Sequence, residues 1–504
     1  MVVEVRRLTS IADERRIEAN KHLKPETKSA LGQFMTPSDI ARFMASLFCF
    51  HNHSAIRLLD AGAGVGSLTA AAVEEMCRTA DVEHVSVRAF ETDPTLFPFL
   101  RETIEDCREL CQVSGIPFQS VVATEDFIEA GVGQLFMSVE PALKFTHAIL
   151  NPPYKKIHSN SEHRRLLRSI GVETVNLYAG FLAIAVQLLE RGGELVAIVP
   201  RSFCNGPYFK PFRDLLLSQL ALQRIHIFES RVNAFKGDEV LQVNIIFYGV
   251  KHGKQDQVVI SSSYDTDFDH ATLRTVAFDE IVSPFDPERF IRIPVTQESS
   301  DLVARMNALP ATLEDLDIEV STGPIVDFRV RNYLRAQPEP GTVPLIYPVH
   351  FKDNFIMWPT VSGKKPNAIV DDEGLQKWLY PNGDYVIVRR FSSKEEKRRI
   401  VAAFFDPALV PYERIGFENH VNVFHHQKQG LDPDLARGLT LYLNSELFDV
   451  CFRQFNGHTQ VNVKDLYNVR YPAAATLRAL GKRIKEQGFP SQSVIDVWLD
   501  EALS

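Results

Sequence analysis

Ile56-Arg57-Leu58-Leu59-Asp60-Ala61-Gly62-Ala63-Gly64-Val65-Gly66 is the stretch that decides the fold. Its first five residues form an apolar run of strand length, its glycines allow left-handed backbone and close approach of a ligand, and Ser67 to Ala80 reads as a helix. Strand, glycine loop and helix make the first half of a nucleotide-binding unit. A dinucleotide site would read G-x-G-x-x-G, but the last glycine position here is Ser67 and an aspartate precedes the loop. That departure favours S-adenosylmethionine over a dinucleotide.

Further strands follow downstream. His84 to Phe90 ends in Glu91-Thr92-Asp93, which sets a carboxylate beside the glycine loop if the sheet is parallel. Glu91 is assigned to ribose hydroxyls, and Asp93 to the start of the helix that Pro94 opens. Phe118 to Ala123 leads to Asp126, able to meet an adenine amine, and Phe127, able to cover the base. Thr146 to Leu150 runs into Asn151-Pro152-Pro153-Tyr154, and Gly193 to Pro200, Leu222 to Phe228 and Val240 to Val250 complete seven strands. Helices are expected at Ile11 to His22, from Ser38 to about Phe50, at Thr174 to Glu190 and at Phe209 to Leu220. The alternation predicts a mainly parallel α/β sheet. The last two strands, joined only by Glu229 to Glu239, are expected to be antiparallel neighbours.

Asn151-Pro152-Pro153-Tyr154 carries the chemistry. Two prolines fix φ and remove two donors, so the strand must stop in a stiff loop. The Asn151 side-chain carbonyl and the Pro152 carbonyl are two acceptors, and Tyr154 adds a flat face with a polar tip. Acceptors gripping the N–H bonds of a planar amine favour its pyramidalisation and restore its lone pair as a nucleophile. A turn with a capping asparagine and a packed tyrosine is the plainer reading of the same residues.

Gly32-x-x-x-Thr36-Pro37, Asp60-x-Gly62-x-Gly64 and Asn151-Pro152-Pro153-Tyr154, in this order and spacing, resemble the gamma class of DNA adenine-N6 methyltransferases of type II restriction–modification systems. The likeness spans about residues 28–250. It continues more loosely through Ser321-Thr322-Gly323, Val388 to Arg399 and Asn456 to Asn462, which are similar to target-recognition segments of the PstI/BsuBI-like subgroup, whose partner nucleases cut CTGCAG. The resemblance implies a Rossmann-like S-adenosylmethionine-dependent domain with a mixed seven-stranded sheet, residues 1–315, and an α+β target-recognition domain, residues 316–504. It gives Thr36, Asp60, Gly62, Gly64, Glu91, Asp126 and Phe127 to the cofactor, and Asn151, Pro152, Pro153 and Tyr154 to the target base. Phe247 matches the second aromatic placed against a flipped adenine, although a strand phenylalanine is otherwise core. Thirty-one positions separate Asp60 from Glu91, more than the roughly 20 of compact nucleotide folds.

At 504 residues with 45% hydrophobic and 24% charged side chains, the chain has the composition of a globular protein of two or three domains. No apolar run reaches the roughly 18 residues of a membrane span, no signal-peptide core follows Met1, and the cytoplasm is the expected compartment. Six cysteines without C-x-x-C spacing imply neither a disulfide framework nor a zinc site, and no metal is expected. The net charge of −9 is uneven: up to Glu319 there are 32 Lys and Arg against 43 Asp and Glu, and beyond it 23 against 21. A DNA-facing surface therefore suits the second part, where Arg329 and Arg331, and Arg389, Arg390, Lys394 and Arg398, mix with aromatics. A solvated helical charge run, with Glu395 and Glu396 pairing Arg398 and Arg399, is the alternative for the latter segment.

The expected function is site-specific transfer of a methyl group to adenine N6 in duplex DNA, with a cognate restriction endonuclease as functional partner. The rivals are the same chemistry on an RNA or protein amide or amine, and a non-catalytic DNA-binding specificity subunit.

Overall fold

Strands and helices alternate through the first 250 residues and build one sheet, as the patterning predicts. The computed structural model describes residues 7–23, 35–79, 82–137, 144–228, 244–284, 286–360, 365–392, 396–456 and 459–504. Gly32, Lys394, Gly457, His458, the Glu229–Glu239 connection and the start of the strand expected from Val240 lie outside the described residues. The chain divides into two compact units, Met1–Val295 and Thr296–Ser504. The junction falls earlier than the expected 315/316 because helix Gln297–Asn307 packs on helix Glu446–Phe455, with Met306 against the Tyr442 hydroxyl.

In the first unit, α1 (Leu8–His22) and α2 (Ser38–Ala45) precede β1 (Ala55–Ala61), α3 (Ser67–Thr79), β2 (His84–Phe90), α4 (Phe97–Val113), β3 (Phe118–Ala123) and α5 (Phe127–Met137). Then come β4 (Phe145–Leu150), α6 (Glu162–Ser169), α7 (Leu177–Leu188), β5 (Leu189–Pro200), α8 (Lys210–Gln219), β6 (Leu220–Phe228), β7 (Asn244–Lys251), β8 (Gln257–Ser263) and β9 (Thr272–Ala277). Among the described residues the sheet has nine strands in the order β3-β2-β1-β4-β5-β7-β6-β8-β9. Strands β3 through β5 are parallel, and β7 is antiparallel to both β5 and β6.

The expected seven strands are joined by β8 and β9, which extend the sheet beyond β6. Serine clusters such as Ser261 to Ser263 commonly punctuate loops. Here the hydroxyls of Ser261 and Ser263 lie inside the protein and bond the two ring nitrogens of His226 at 2.9 and 3.2 Å, which satisfies their burial.

Side chains alternate between two cores. Ala148, Leu150, Ala197 and Val199 face α7, whereas Ile149, Val196, Ile198 and Ile246 join α2 and α3 on the other face. Strand β1 lies between β2 and β4, so the chain leaves it in opposite directions on its two sides. Ligands of open α/β sheets bind in the crevice that such a reversal opens at the strands' carboxyl ends.

The second unit holds a six-stranded sheet with spatial order Glu319–Thr322, Val421–His425, Tyr385–Arg389, Ala402–Phe405, Phe355–Ile356 and Phe351–Lys352. A five-stranded sheet runs Leu334–Arg335, Ala368–Val370, Thr342–Ile346, Arg414–Phe417 and Leu379–Pro381. Helices Pro433–Leu443 and Ala474–Gln487 pack tightly, Gly438 and Gly481 leaving room for the other helix's backbone carbonyls. The expected α+β character is present.

Candidate active site

A cavity of about 320 Å³ opens at the carboxyl ends of β1, β2, β3 and β4. The glycine loop forms one wall. Gly62 and Gly64 have φ of +84° and +59°, which a residue with a Cβ adopts only under strain, and the amides of Gly62 and Ala63 both bond the Phe90 carbonyl at 3.0 and 2.8 Å. The turn therefore folds back over β2 and presents main chain to the cavity.

Glu91 stands next to it, buried but lining the cavity. Its Oε2 accepts the Gly64 N–H at 2.9 Å, and its Oε1 accepts the N–H groups of Thr92 and Asp93 at 2.8 Å each. Burial pushes its carboxyl above the ordinary range, against these bonds. Glu91 thus locks two strand ends together and keeps acceptor capacity toward the cavity.

Asp126 does more than its sequence context suggested. Oδ1 takes the N–H groups of Ile128 and Glu129 at 2.8 and 3.2 Å, capping α5, while Oδ2 sits 3.1 Å from His163 Nε2. Burial alone would raise its pKa, but the His163 hydrogen bond and charge bring it below the ordinary carboxylate value. A ligand amine at Asp126 must share Oδ2 with His163. Phe127 lies behind, edge-on to Phe90 and tilted against Phe181, with centroids 5.0 Å away in each case.

At the opposite wall, the Asn151 amide is held from both ends. Nδ2 donates to Thr36 Oγ1 at 3.0 Å, and Oδ1 accepts the Tyr154 hydroxyl at 3.0 Å. The same hydroxyl lies 3.2 Å from the Ile198 carbonyl, and burial raises its pKa well above that of a free phenol. Tyr154 thus orients Asn151 as well as offering a half-buried ring, a role the sequence did not reveal. Thr36, Gly62, Gly64, Glu91, Asp126, Phe127, Asn151 and Pro153 all border this one cavity. So do His163, Phe181, Lys155 and Lys156, which sequence reasoning passed over; the two lysines follow Tyr154 directly and were the visible sign.

Four expected site residues do not border this cavity: Pro152 and Tyr154, beside Asn151 in the same loop, and Asp60 and Phe247. Asp60 is fully buried under the glycine loop and does not line the cavity: Oδ2 accepts the Thr69 hydroxyl at 2.7 Å and Oδ1 has no hydrogen-bond partner. Burial lifts its pKa to about 7, with the Thr69 bonds opposing and the Glu91 charge adding to the rise. A raised folded-state pKa lends stability that is complete below the unfolded value, near pH 4, and lost as pH climbs through about 7. Asp60→Asn, neutral throughout, is expected to gain on the parent by roughly 4 kcal/mol across that window. Denaturation of both proteins at pH 4.5 and 7.5 checks this, and parallel curves would contradict it.

Phe247 is 1% exposed, packed on Phe203 at 6.0 Å inside the core between β5 and β6, and absent from the cavity wall. Strand alternation aims its ring into the layer under α7 and α8, which corrects its assignment to the target base.

In the second unit, Arg329 and Arg331 are exposed, and the Arg329 guanidinium lies 5.6 Å from the ring of exposed Phe328. Arg389 stands over Phe351 at 5.5 Å and borders a polar cavity of about 490 Å³ with Lys352, Asn354 and Gln492. Arg390 donates to the Asn419 carbonyl at 3.0 Å. The residues described between Arg389 and Arg399 form no helix. Arg399 is buried, with its backbone N–H on Asp449 and its guanidinium on Asn456, and Arg398 is half-buried among the charges of Asp449, Asp496 and Glu446. Packing of Arg399 against Asp449 overrides the local helical charge pattern, and burial draws Arg398 partly out of solvent.

The glycine loop, strand-end acids and Asn-Pro-Pro-Tyr loop gather at one crevice of an α/β methyltransferase-type fold. Residues 100–235 match the Eco57I restriction-modification methylase family model. The chain is 47% identical over 496 residues to the type II methyltransferase M.BsuBI of Bacillus subtilis, covering 97% of each chain. It is 41% identical over 499 residues to the type II methyltransferase M.PstI of Providencia stuartii, covering 98% of this chain and 97% of that one. The chain belongs to this type II methyltransferase family, in the subgroup that its motifs suggested. In fold it is similar to the type IIL restriction-modification enzyme MmeI, with a TM-score of 0.50 at 13% identity over 98% of this chain and 71% of that one. No helix among the described residues is long and apolar enough to cross a membrane.

Proposed function

We propose that this chain methylates adenine N6 in duplex DNA at a specific site, CTGCAG by its family likeness, and so protects cytoplasmic DNA from a cognate restriction endonuclease. The observation that carries the reading is the Asn151 amide, fixed by Thr36 and Tyr154 at the rim of a cavity suited to a nucleoside.

That cavity's donor set fits S-adenosylmethionine. Glu91 is the acceptor for ribose hydroxyls, Asp126 with Phe127 takes the adenine, and Thr36 and the glycine loop border the remainder. When bound, this cofactor supplies an electrophilic methyl group. The chain's part is to grip and orient the acceptor amine. Asn151 Oδ1 and the Pro152 carbonyl accept its two N–H bonds and restore its lone pair. A stacked adenine hides that amine, so the base must be extruded at a cost of a few kcal/mol. Stacking on the half-buried Tyr154 ring returns roughly 1–3 kcal/mol.

The second unit is assigned to target recognition, with Arg329 and Arg331 on phosphates beside the Phe328 ring. Arg331→Glu is expected to weaken DNA binding uniformly across sequences and to reduce the salt slope by about one for the lost contact. An unchanged slope in binding titrations at several salt concentrations would leave Arg331 a solvated charge.

Protection tests the whole reading. DNA from cells expressing the chain should resist a nuclease that cuts CTGCAG, and DNA from cells expressing Asn151→Ala should not. Cleavage of both samples would reject the proposed site.

A further inference from the structure

Away from the cavity, three side chains converge on the α2 face of the sheet. His147 on β4 and Glu194 on β5 are register partners, and His53 comes from the segment that leads into β1. Their ligand atoms all lie within 4.8 Å of one another. His147 is 0% and Glu194 2% exposed, under the rings of Phe48 and Phe50.

The hydrogen bonds around His147 leave its Nε2 unengaged. The Thr146 hydroxyl accepts the Arg57 N–H at 2.9 Å and donates its own proton to the Arg57 carbonyl at 3.3 Å. Its 2.9 Å contact with His147 Nδ1 has the ring nitrogen as donor whenever the hydroxyl proton is on the Arg57 carbonyl, which is the arrangement a metal on Nε2 would select. That tautomer leaves Nε2 as a bare lone pair, and Nε2 is buried without a hydrogen-bond partner, 4.0 Å from Glu194 Oε2. Glu194 is in turn oriented by the Cys49 N–H at 2.9 Å. Arg57 does not serve as its counter-ion, since that guanidinium is held by Glu190 and the Lys144 carbonyl. A buried lone pair facing a buried carboxylate is costly unless something electropositive lies between them.

We propose that His53, His147 and Glu194 bind one divalent transition-metal ion, with zinc the best match. Two neutral imidazoles and a carboxylate are a three-ligand zinc set, with solvent in the fourth position. The proton of His147 Nδ1 on Thr146 and the Cys49 N–H on Glu194 are the outer hydrogen bonds that orient metal ligands. Zinc ligand atoms stand about 3.4 Å apart, so the set must tighten on binding. His53, outside regular structure and with its side chain 19% exposed, is the ligand placed to move inward and the point of entry. The ion would tie the chain before β1 to the two strands behind the Asn151 loop. Its role is structural, since none of its ligands lines the cavity. Ligands at positions 53, 147 and 194 share no local spacing, so the site has no signature along the chain.

Metal stoichiometry tests the proposal on the full chain. After dialysis against chelator, the protein is incubated with Zn²⁺, or with Co²⁺ as a visible-absorption probe, and desalted. The parent should retain one ion per chain, show the absorption of low-coordinate cobalt and melt at a higher temperature with metal than without. His53→Gln and Glu194→Gln should each lower affinity 10- to 100-fold or more. His53→Gln, at a partly exposed position, should melt like the metal-free parent and bind S-adenosylmethionine as the parent does, so its loss of metal cannot be attributed to misfolding. Failure of the parent to retain an ion, or equal retention by His53→Gln and the parent, overturns the site.

Discussion

Asn151→Ala is expected to lower turnover by about 10²- to 10³-fold, the scale measured when one preorganised polar contact to a reacting group is removed. The substitution deletes the acceptor that faces the amine and leaves the Thr36 hydroxyl and the Tyr154 phenol without their shared partner. The Thr36 hydroxyl borders the cavity, where water can satisfy it, and the Tyr154 phenol keeps the Ile198 carbonyl, so the fold should hold. Cofactor affinity should change by less than about tenfold, because losing one neutral hydrogen bond at the wall costs about 1 kcal/mol. Tyr154→Phe should fall between parent and Asn151→Ala, since it keeps the ring but releases the Oδ1 end of the amide. Single-turnover rates with cofactor dissociation constants decide this. A loss of binding as large as the loss of rate would make Asn151 a cofactor ligand rather than a grip on the target.

Glu91→Gln should act the other way, on binding first. The carboxylate takes three main-chain N–H groups with two oxygens. A glutamine must turn its own NH₂ toward either Gly64 or the Thr92–Asp93 pair, setting donor against donor. Charge-assisted bonds are worth about 1.5–3 kcal/mol each, so cofactor affinity should drop on the order of 100-fold, while turnover at saturation changes much less. Calorimetric titration measures it directly. Parent-like affinity would remove Glu91 from the cofactor site and leave it a structural lock on the glycine loop.

Strand patterning in the sequence was most legible where one physical rule acts alone. His84–Phe90 and Phe118–Ala123 appear with the expected ends, because apolar residues bounded by turn formers fix both periodicity and length. Motif spacing likewise brought Thr36, Glu91 and Asn151 to one cavity across more than a hundred residues. What stayed hidden depends on contacts between distant positions. Ser261 and Ser263 lie in a buried strand, where His226 on the neighbouring strand bonds their hydroxyls. Asp126 is claimed by His163 from a helix 37 positions away. Arg399 leaves the expected charge run because Asp449 and Asn456 draw it inside. Asp60 and Phe247 share a different cause: a motif gives the order of residues along the chain but not which side of the strand or loop each one faces.

Transfer of a labelled methyl group tests the central claim most directly. The chain is incubated with methyl-labelled S-adenosylmethionine and a duplex containing CTGCAG, and the DNA is digested to nucleosides and analysed by mass spectrometry. Label is expected in N6-methyldeoxyadenosine at about one methyl per strand of the site, and none with Asn151→Ala. Label in a methylated cytosine, or transfer to RNA or protein with the duplex untouched, would contradict it.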